Sequence, residues 1–132
     1  MKTFVLDASL ALEWFAMGAS TEVLAKRSLL DDHVAVVPTL WRFEVMNAVT
    51  TWRRRGDISH ADCAVLLHDI MQIPFGTADE GDPELVVSLA SAHGLSAYDA
   101  TYLRVAMITG DPLATLDAAL KRVAKEVGVT CL

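Results

Sequence analysis

Four acidic residues occupy positions where a carboxylate can do chemistry: Asp7, Glu44, Asp99 and Asp117. Asp7 ends the apolar segment 3–6 and Asp117 follows the segment 113–116, and both segments are predicted to be short buried strands. Because ligands of parallel α/β sheets bind outside the carboxyl ends of the strands, both acids are expected at one edge of the sheet. Four converging carboxylates cannot all stay ionised without a cation. All-oxygen ligands favour hard ions, so the set indicates Mg²⁺ or Mn²⁺.

Glu44 interrupts an apolar stripe on a helix predicted from about residue 39 to residue 55. The stripe consists of Trp41, Val45, Ala48, Val49 and Trp52. Glu44 shares its face, where a carboxylate is costly unless it is paired or bound to a metal. The alternative to a metal ligand is a salt bridge to Arg42 or Arg104. Asn47 lies on the same face and is expected to hydrogen-bond the Glu44 carboxylate.

Helix capping is an alternative explanation for each aspartate. Asp7 and Asp117 precede predicted helices and suit the N-cap position. Ser96 and Asp99 match a capping box, in which a serine and an acid three residues later bond each other's backbone N–H groups. The metal-site hypothesis therefore depends on the combination of the four acids and not on any one of them.

Short strands alternate with helices along the chain, which predicts an α/β layered fold with a small, mainly parallel sheet. The strands are predicted at residues 3–6, 34–37, 113–116 and 129–131. Helices are predicted to start at Ser20, Thr39, Ser59, Asp82, Ser96 and Asp117. We expect Gly56 and Gly94 to end two of them, and Pro74 another.

The 132 residues suit a single domain, 1–132, and their net charge of −6 argues against a binder held by a broad basic surface. No uncharged apolar run approaches the ~20 residues of a spanning helix. Asp7 and Glu13 interrupt the apolar N-terminal stretch, unlike a signal peptide, so we expect a cytoplasmic protein that does not enter a membrane. Cys63 and Cys131 lack metal-type spacing and need no disulfide, and none of the four histidines is assigned to the site.

Four segments in order resemble the PIN-domain ribonucleases, specifically the VapC-type toxins of bacterial toxin–antitoxin pairs. They are residues 4–9 (FVLDAS), 44–48 (EVMNA), 94–100 (GLSAYDA) and 113–117 (LATLD). Each segment alone is a weak motif, but all four in order make a specific signal that covers essentially the whole chain.

The resemblance implies a three-layer α/β/α sandwich and an endoribonuclease that uses Mg²⁺ or Mn²⁺ held by the four acids. Ser9 and Thr115 would be supporting hydroxyls near the site. The resemblance further implies a transfer RNA or ribosomal RNA substrate, a cognate antitoxin and a homodimer. Two alternatives are a PIN-fold interaction module without catalysis and a housekeeping RNA-processing nuclease.

Basic residues on the predicted helix 39–55 are candidate phosphate contacts. They are Arg42, Arg53, Arg54 and Arg55. The stretch 104–111 carries fewer basic residues than many VapC-type relatives have there, which concerns substrate affinity more than chemistry.

Overall fold

The computed structural model describes residues 2–16 and 18–132. The strands are β1 (Lys2–Leu6), β2 (His33–Val37), β3 (Phe75–Thr77) and β4 (Leu113–Ala114). The helices are α1 (Ala8–Trp14), α2 (Thr21–Arg27), α3 (Leu40–Arg55), α4 (His60–Met71), α5 (Pro83–His93), α6 (Ala97–Thr109) and α7 (Ala118–Glu126). A 3₁₀ turn at Ser28–Asp31 joins α2 to β2.

The four strands form one parallel sheet in the order β3-β2-β1-β4. Phe4 on β1 pairs with Ala35 on β2, and Leu6 pairs with Ala114 on β4. β3 was not predicted, because its three exposed residues include Gly76 and are too few to show a period. The predicted strand 129–131 was wrong in extent, since only Cys131 bridges to the sheet, at Leu113.

The order of the strands determines where the helices lie. The chain moves from β1 to β2 to β3 in one direction and then returns past β1 to β4. Right-handed crossovers therefore place α1–α4 on one face and α5–α6 on the other. The contacts agree: α1 packs on α2 and α3, whereas α6 packs on α5, α7 and β1. The expected three-layer α/β/α fold with a small parallel sheet is confirmed.

The core fills the space between the sheet and both helix layers. Its largest fully buried side chains include Phe4 on β1, Trp41 on α3 and Tyr102 on α6. The predicted apolar stripe of α3 faces this core, where Trp41, Val45 and Val49 are buried. Burial of that stripe fixes the rotation of α3 about its axis and so determines where Glu44 points.

Most helix ends follow the predicted capping residues. Ser20, Ser59, Asp82 and Ser96 each accept a backbone N–H at a helix start. Gly56 and Gly94 end α3 and α5 with positive φ, which L side chains rarely adopt. Thr39 was wrongly predicted as a cap: its backbone is already helical, its side chain caps nothing, and Trp41 N–H bonds the Pro38 carbonyl instead. Among the described residues, no helix is both long enough and apolar enough to cross a membrane.

Candidate metal centre

Asp7 lies directly after β1 with only 6 % of its surface exposed. Its Oδ2 accepts hydrogen bonds from the Ser9 hydroxyl at 2.8 Å and from the Thr115 hydroxyl at 2.6 Å. Asp7 is also the N-cap of α1, with Oδ1 at 3.5 Å from the Ser9 backbone nitrogen. The capping interpretation is therefore correct, yet the carboxylate is also held from both sides by hydroxyl donors that fix its orientation.

Thr115 and Asp117 lie at the carboxyl end of β4. The Thr115 side chain is fully buried, and its hydroxyl oxygen accepts the Asp117 backbone N–H at 3.1 Å while donating to Asp7. Asp117 caps α7, with Oδ1 accepting the Leu120 N–H at 2.8 Å. Thr115 thus connects the two aspartates that end neighbouring strands.

Asp99 occupies the first turn of α6. The Ser96 hydroxyl oxygen accepts the Asp99 backbone N–H at 3.1 Å. Across the described residues, no hydrogen bond returns from the Ser96 backbone N–H to the Asp99 carboxylate, so the capping box is only half formed. Burial raises the pKa of Asp99 above its ordinary value, and the nearby Asp117 and Asp7 carboxylates raise it further.

Glu44 lies half-buried on α3. Its Oε1 is buried without a hydrogen-bond partner in the described part of the chain. Neither Arg42 nor Arg104 forms a salt bridge with it there, so that alternative was wrong. The expected hydrogen bond from Asn47 is likewise absent from residues 2–16 and 18–132. Burial raises the pKa of Glu44, the nearby Tyr102 hydroxyl partly offsets this, and the Asp7 and Asp99 carboxylates add to it.

Tyr102 is part of the candidate site, but it was not identified from the sequence. Its side chain is fully buried. Its hydroxyl lies beside Glu44 but has no partner with hydrogen-bond geometry among the described residues. Burial, followed by the neighbouring Glu44 carboxylate, raises the pKa of Tyr102 far above its ordinary range, so the phenol stays protonated. Tyr102 lies one helical turn after Asp99, and this spacing was the available signal.

The four acids line one pocket of about 300 Å³. Its lining consists of Asp7, Ala8, Ser9, Leu12, Glu44, Asn47, Ala48, Asp99 and Asp117. We call this space the acid pocket. It opens at the neighbouring strands β1 and β4. From β1 the chain continues to β2 on one side, and it reaches β4 on the other side only after β3, so the direction of the strand order reverses between β1 and β4. Such switch points are the usual ligand sites of parallel α/β sheets.

The four carboxylates line the same pocket, but they do not converge on one point as metal ligands would. Within residues 2–16 and 18–132, no three side chains of His, Cys, Asp or Glu are arranged to hold an ion as they stand. Their chemistry nevertheless fits a hard cation. All the charged ligand atoms are oxygens, and Glu44 Oε1 has no hydrogen-bond partner among the described residues. Burial, and then the neighbouring carboxylates, raise the pKa of both Glu44 and Asp99.

The predicted arginine contacts lie outside the acid pocket. All four side chains are exposed on α3, and none lines the pocket. Arg53 is nine residues after Glu44, which is about 13 Å along the helix axis. Any role of Arg53, Arg54 and Arg55 would therefore concern a part of a bound molecule that lies outside the acid pocket.

Comparison with known proteins identifies relatives of this fold. The sequence profile of the PIN domain matches residues 4–126. PAE2754 from Pyrobaculum aerophilum is similar with a TM-score of 0.74 and 22 % identity, over 92 % of this chain and 84 % of that one. FitAcB from Neisseria gonorrhoeae has a TM-score of 0.69 at 18 % identity, over 98 % and 96 % of the two chains. VapBC2 from Rickettsia felis, bound to a DNA fragment from its promoter, has a TM-score of 0.66 at 14 % identity, over 98 % and 97 %. No curated protein sequence matches this chain.

Proposed function

Because this chain belongs to the PIN-domain family, we propose that it is an endoribonuclease dependent on Mg²⁺ or Mn²⁺ and acts as the toxin of a toxin–antitoxin pair. One observation supports this most: Asp7, Glu44, Asp99 and Asp117 come from four different elements and line one pocket at the switch point of the sheet. Capping alone would explain each aspartate separately, but not why all of them, together with Glu44, share one pocket.

The site suits a metal because it concentrates negative charge, and none of the described residues that line the acid pocket is a lysine or an arginine. The PIN family is generally metal-dependent. We assign Asp7 and Asp99 as direct ligands, Glu44 as a ligand directly or through water, and Asp117 as a ligand through water. A bound Mg²⁺ or Mn²⁺ would supply an activated water and neutralise charge on the phosphodiester.

The side chains around the metal ligands would fix their positions. The hydroxyls of Ser9 and Thr115 hold Asp7 Oδ2, which limits its rotation. The protonated Tyr102 hydroxyl beside Glu44 offers a donor that favours the ionised carboxylate. By the family resemblance, hydrolysis leaves a 5′-phosphate and a 3′-hydroxyl on the RNA.

An antitoxin is the proposed partner, since the FitAcB and VapBC2 structures are toxin–antitoxin complexes. Beside α4, an apolar groove of about 480 Å³ is bordered by three acids. Its lining is Phe15, Ala16, Trp52, Asp57, Ile58, Asp62, Val65, Leu66 and Asp69. Trp52 also lines a second groove with Ser9 and Asp117, which continues to the acid pocket. This path suits an extended antitoxin segment with apolar and basic residues.

Calorimetric titration with Mn²⁺ at near-neutral pH tests the metal site first. We expect saturable binding to the wild-type chain and an affinity at least about tenfold weaker for Asp99→Asn. Asp62→Asn is the matched control, because Asp62 holds the same position after Ser59 in α4 as Asp99 holds after Ser96 in α6. Equal weakening by both substitutions would mean that Asp99 acts only as a capping residue.

Cleavage of RNA tests the activity. Wild type, incubated with Mn²⁺ and transfer or ribosomal RNA, is expected to cut at defined positions, and Asp7→Asn is expected to remove cutting while the fold stays intact. Full activity of cleanly purified Asp7→Asn protein would refute the mechanism. A wild type that binds neither metal nor RNA would favour the non-catalytic module. Light scattering of the same samples tests the proposed homodimer.

A further inference from the structure

Three lysines gather at the β4 edge of the sheet, in a chain that is acidic as a whole. Lys121 and Lys125 on α7 line a depression of about 420 Å³ with residues 128–131. Lys26, at the end of α2, approaches the same place, since Lys26 and Lys121 both lie close enough to the Cys131 thiol to affect its pKa electrostatically. Cys131 pairs with Leu113 and so locates the group beside β4. We call Lys26, Lys121 and Lys125 the lysine surface.

The lysine surface begins one helical turn from the acid pocket. Asp117 caps α7, and the backbone N–H of Lys121 bonds the Asp117 carbonyl at 3.0 Å. Lys121 and Lys125 follow Asp117 at intervals of four residues and therefore share a face of the helix with it. Their backbone positions lie about 6 Å and about 12 Å along the helix axis from Asp117.

The charges of these lysines are not neutralised by the protein. The ion pairs of the described residues join Asp32 to His33, and Glu126 to His93 and Arg122. None of these pairs includes Lys26, Lys121 or Lys125. Glu126 is the acid next to Lys125 in sequence, but it is directed to α5, where it meets His93. α7 thus has one face with a paired acid and another with two unpaired lysines.

A nuclease with this charge distribution needs a local source of attraction for its substrate. The net charge is −6, and the acid pocket repels phosphate until cations occupy it. Lysines bind phosphate as point charges and contribute to nucleic-acid affinity without reading sequence. Along their own helices, the exposed arginines that end α3 begin nine residues after Glu44, whereas Lys121 follows Asp117 by four.

We propose that Lys26, Lys121 and Lys125 bind the phosphate backbone of the RNA strand adjacent to the bond that is cut. This inference rests on the proposed function and adds the direction in which the strand leaves the acid pocket, along α7 towards the β4 edge. The lysines position the strand and take no part in bond cleavage.

Salt-dependent RNA binding tests the lysine surface. Binding of a fluorescein-labelled single-stranded RNA of mixed sequence is followed by anisotropy in Mg²⁺, with the Asp99→Asn substitution in every sample to prevent cutting. Each lysine-to-alanine change is expected to lower the slope of log affinity against log salt by about 0.7. The corresponding loss of affinity near 0.1 M salt is about fivefold for each lysine. Arg122→Ala is the matched control, because it removes one positive charge from the paired face of the same helix.

Cleavage kinetics separate this inference from the proposed function. With Asp99 intact, the lysine substitutions are expected to raise KM and to leave kcat unchanged. The thermal midpoint of each variant is expected to stay close to that of wild type. Wild-type cleavage with an unchanged KM and salt slope in the triple lysine variant would overturn the inference and leave the function standing. Lysine-dependent RNA binding by a chain that never cleaves would retain the lysine surface and overturn the proposed function.

Discussion

The Thr115 hydroxyl makes two hydrogen bonds within the site, one as a donor and one as an acceptor. It donates to Asp7 Oδ2 and accepts the Asp117 N–H, and the side chain is fully buried. A residue that joins two strand ends in this way holds the Asp7 carboxylate against the backbone that carries Asp117, and it also contributes to stability.

Thr115→Val is therefore expected to destabilise the protein by about 2 kcal/mol, because it keeps the shape of the side chain but removes the acceptor of the Asp117 N–H and one of the two hydroxyl donors to Asp7 Oδ2. Urea unfolding monitored by circular dichroism measures the loss. Thr50→Val is the matched control: the Thr50 hydroxyl only bonds the Met46 carbonyl on an exposed part of α3. A cost for Thr115→Val no greater than that for Thr50→Val would contradict a structural role for the connection.

Glu44 gives the site a pH dependence. Its pKa in the folded protein is raised above the ordinary 4.5, chiefly by burial, so the folded state holds the proton more tightly than the unfolded state. The stability contributed by the protonated group is complete below pH 4.5 and is lost as the pH rises through the raised folded pKa. Glu44→Gln is expected to reduce this loss and to stabilise the metal-free protein at neutral pH by on the order of 1 kcal/mol.

Urea unfolding from about pH 4 to about pH 8, with a chelator present, measures that effect. Glu13→Gln removes the same charge from an exposed position on α1 and serves as the control. Parallel stability curves for wild type and Glu44→Gln over the whole range would show that Glu44 carries no excess charge penalty in the folded state.

At the scale of elements, α4 and α6 begin with the same kind of serine cap, but only α6 carries an acid of the pocket in its first turn. Ser59 begins α4 and Ser96 begins α6, each accepting an N–H three residues later at 3.1 Å. Ser59→Ala and Ser96→Ala are each expected to cost about 1 kcal/mol of stability. Only Ser96→Ala is expected to weaken Mn²⁺ binding as well, because the first turn of α6 carries Asp99 to the acid pocket. Calorimetry on both variants checks this, and equal metal affinity in the two would separate the cap from the site.

Capping and periodicity predicted most of the elements, because both depend on residues close in sequence. β1, β2 and the start of α6 follow from such local signals. β3 could not be found, since it is stabilised by pairing with β2 and not by its own three residues. Likewise, β4 ends at Ala114 and not at residue 116, because Thr115 turns its hydroxyl to Asp7 and Asp117 begins the next helix.

The sequence predicted which acids belong to the candidate site, but not which side chains they contact. The acids were identified from strand ends and from the misplaced charge on the α3 stripe. Whether Glu44 paired with Arg104 or faced Tyr102 depended on how α3 and α6, which lie on opposite faces of the sheet, are positioned relative to each other, and no local pattern encodes that. The lysine surface was missed for the same reason, since Lys26 and Lys121 are separated by most of the chain and meet only at the β4 edge.

At the scale of the whole molecule, the acid pocket concentrates four of the 17 acidic residues in a chain of net charge −6. Their mutual repulsion opposes folding, and two kinds of solute relieve it by different means. Salt screens charges over about 8 Å at physiological ionic strength without binding a site. A divalent ion that binds only the folded state adds stability in proportion to the logarithm of its concentration above Kd.

Binding of Mn²⁺ to the acid pocket is therefore expected to raise the thermal midpoint of the wild-type chain. The corresponding gain in the free energy of unfolding is about 2.7 kcal/mol at a Mn²⁺ concentration 100 times Kd. Asp7→Asn is expected to lose that increment while keeping the smaller stabilisation by NaCl, because three pocket acids remain and the net charge changes only from −6 to −5. Scanning calorimetry over a Mn²⁺ series at fixed ionic strength, and over a NaCl series with chelator, separates the two effects. An equal Mn²⁺ increment in wild type and Asp7→Asn would show that the ion acts as general screening charge, and the acid pocket would then be a cluster of helix caps and not a metal centre.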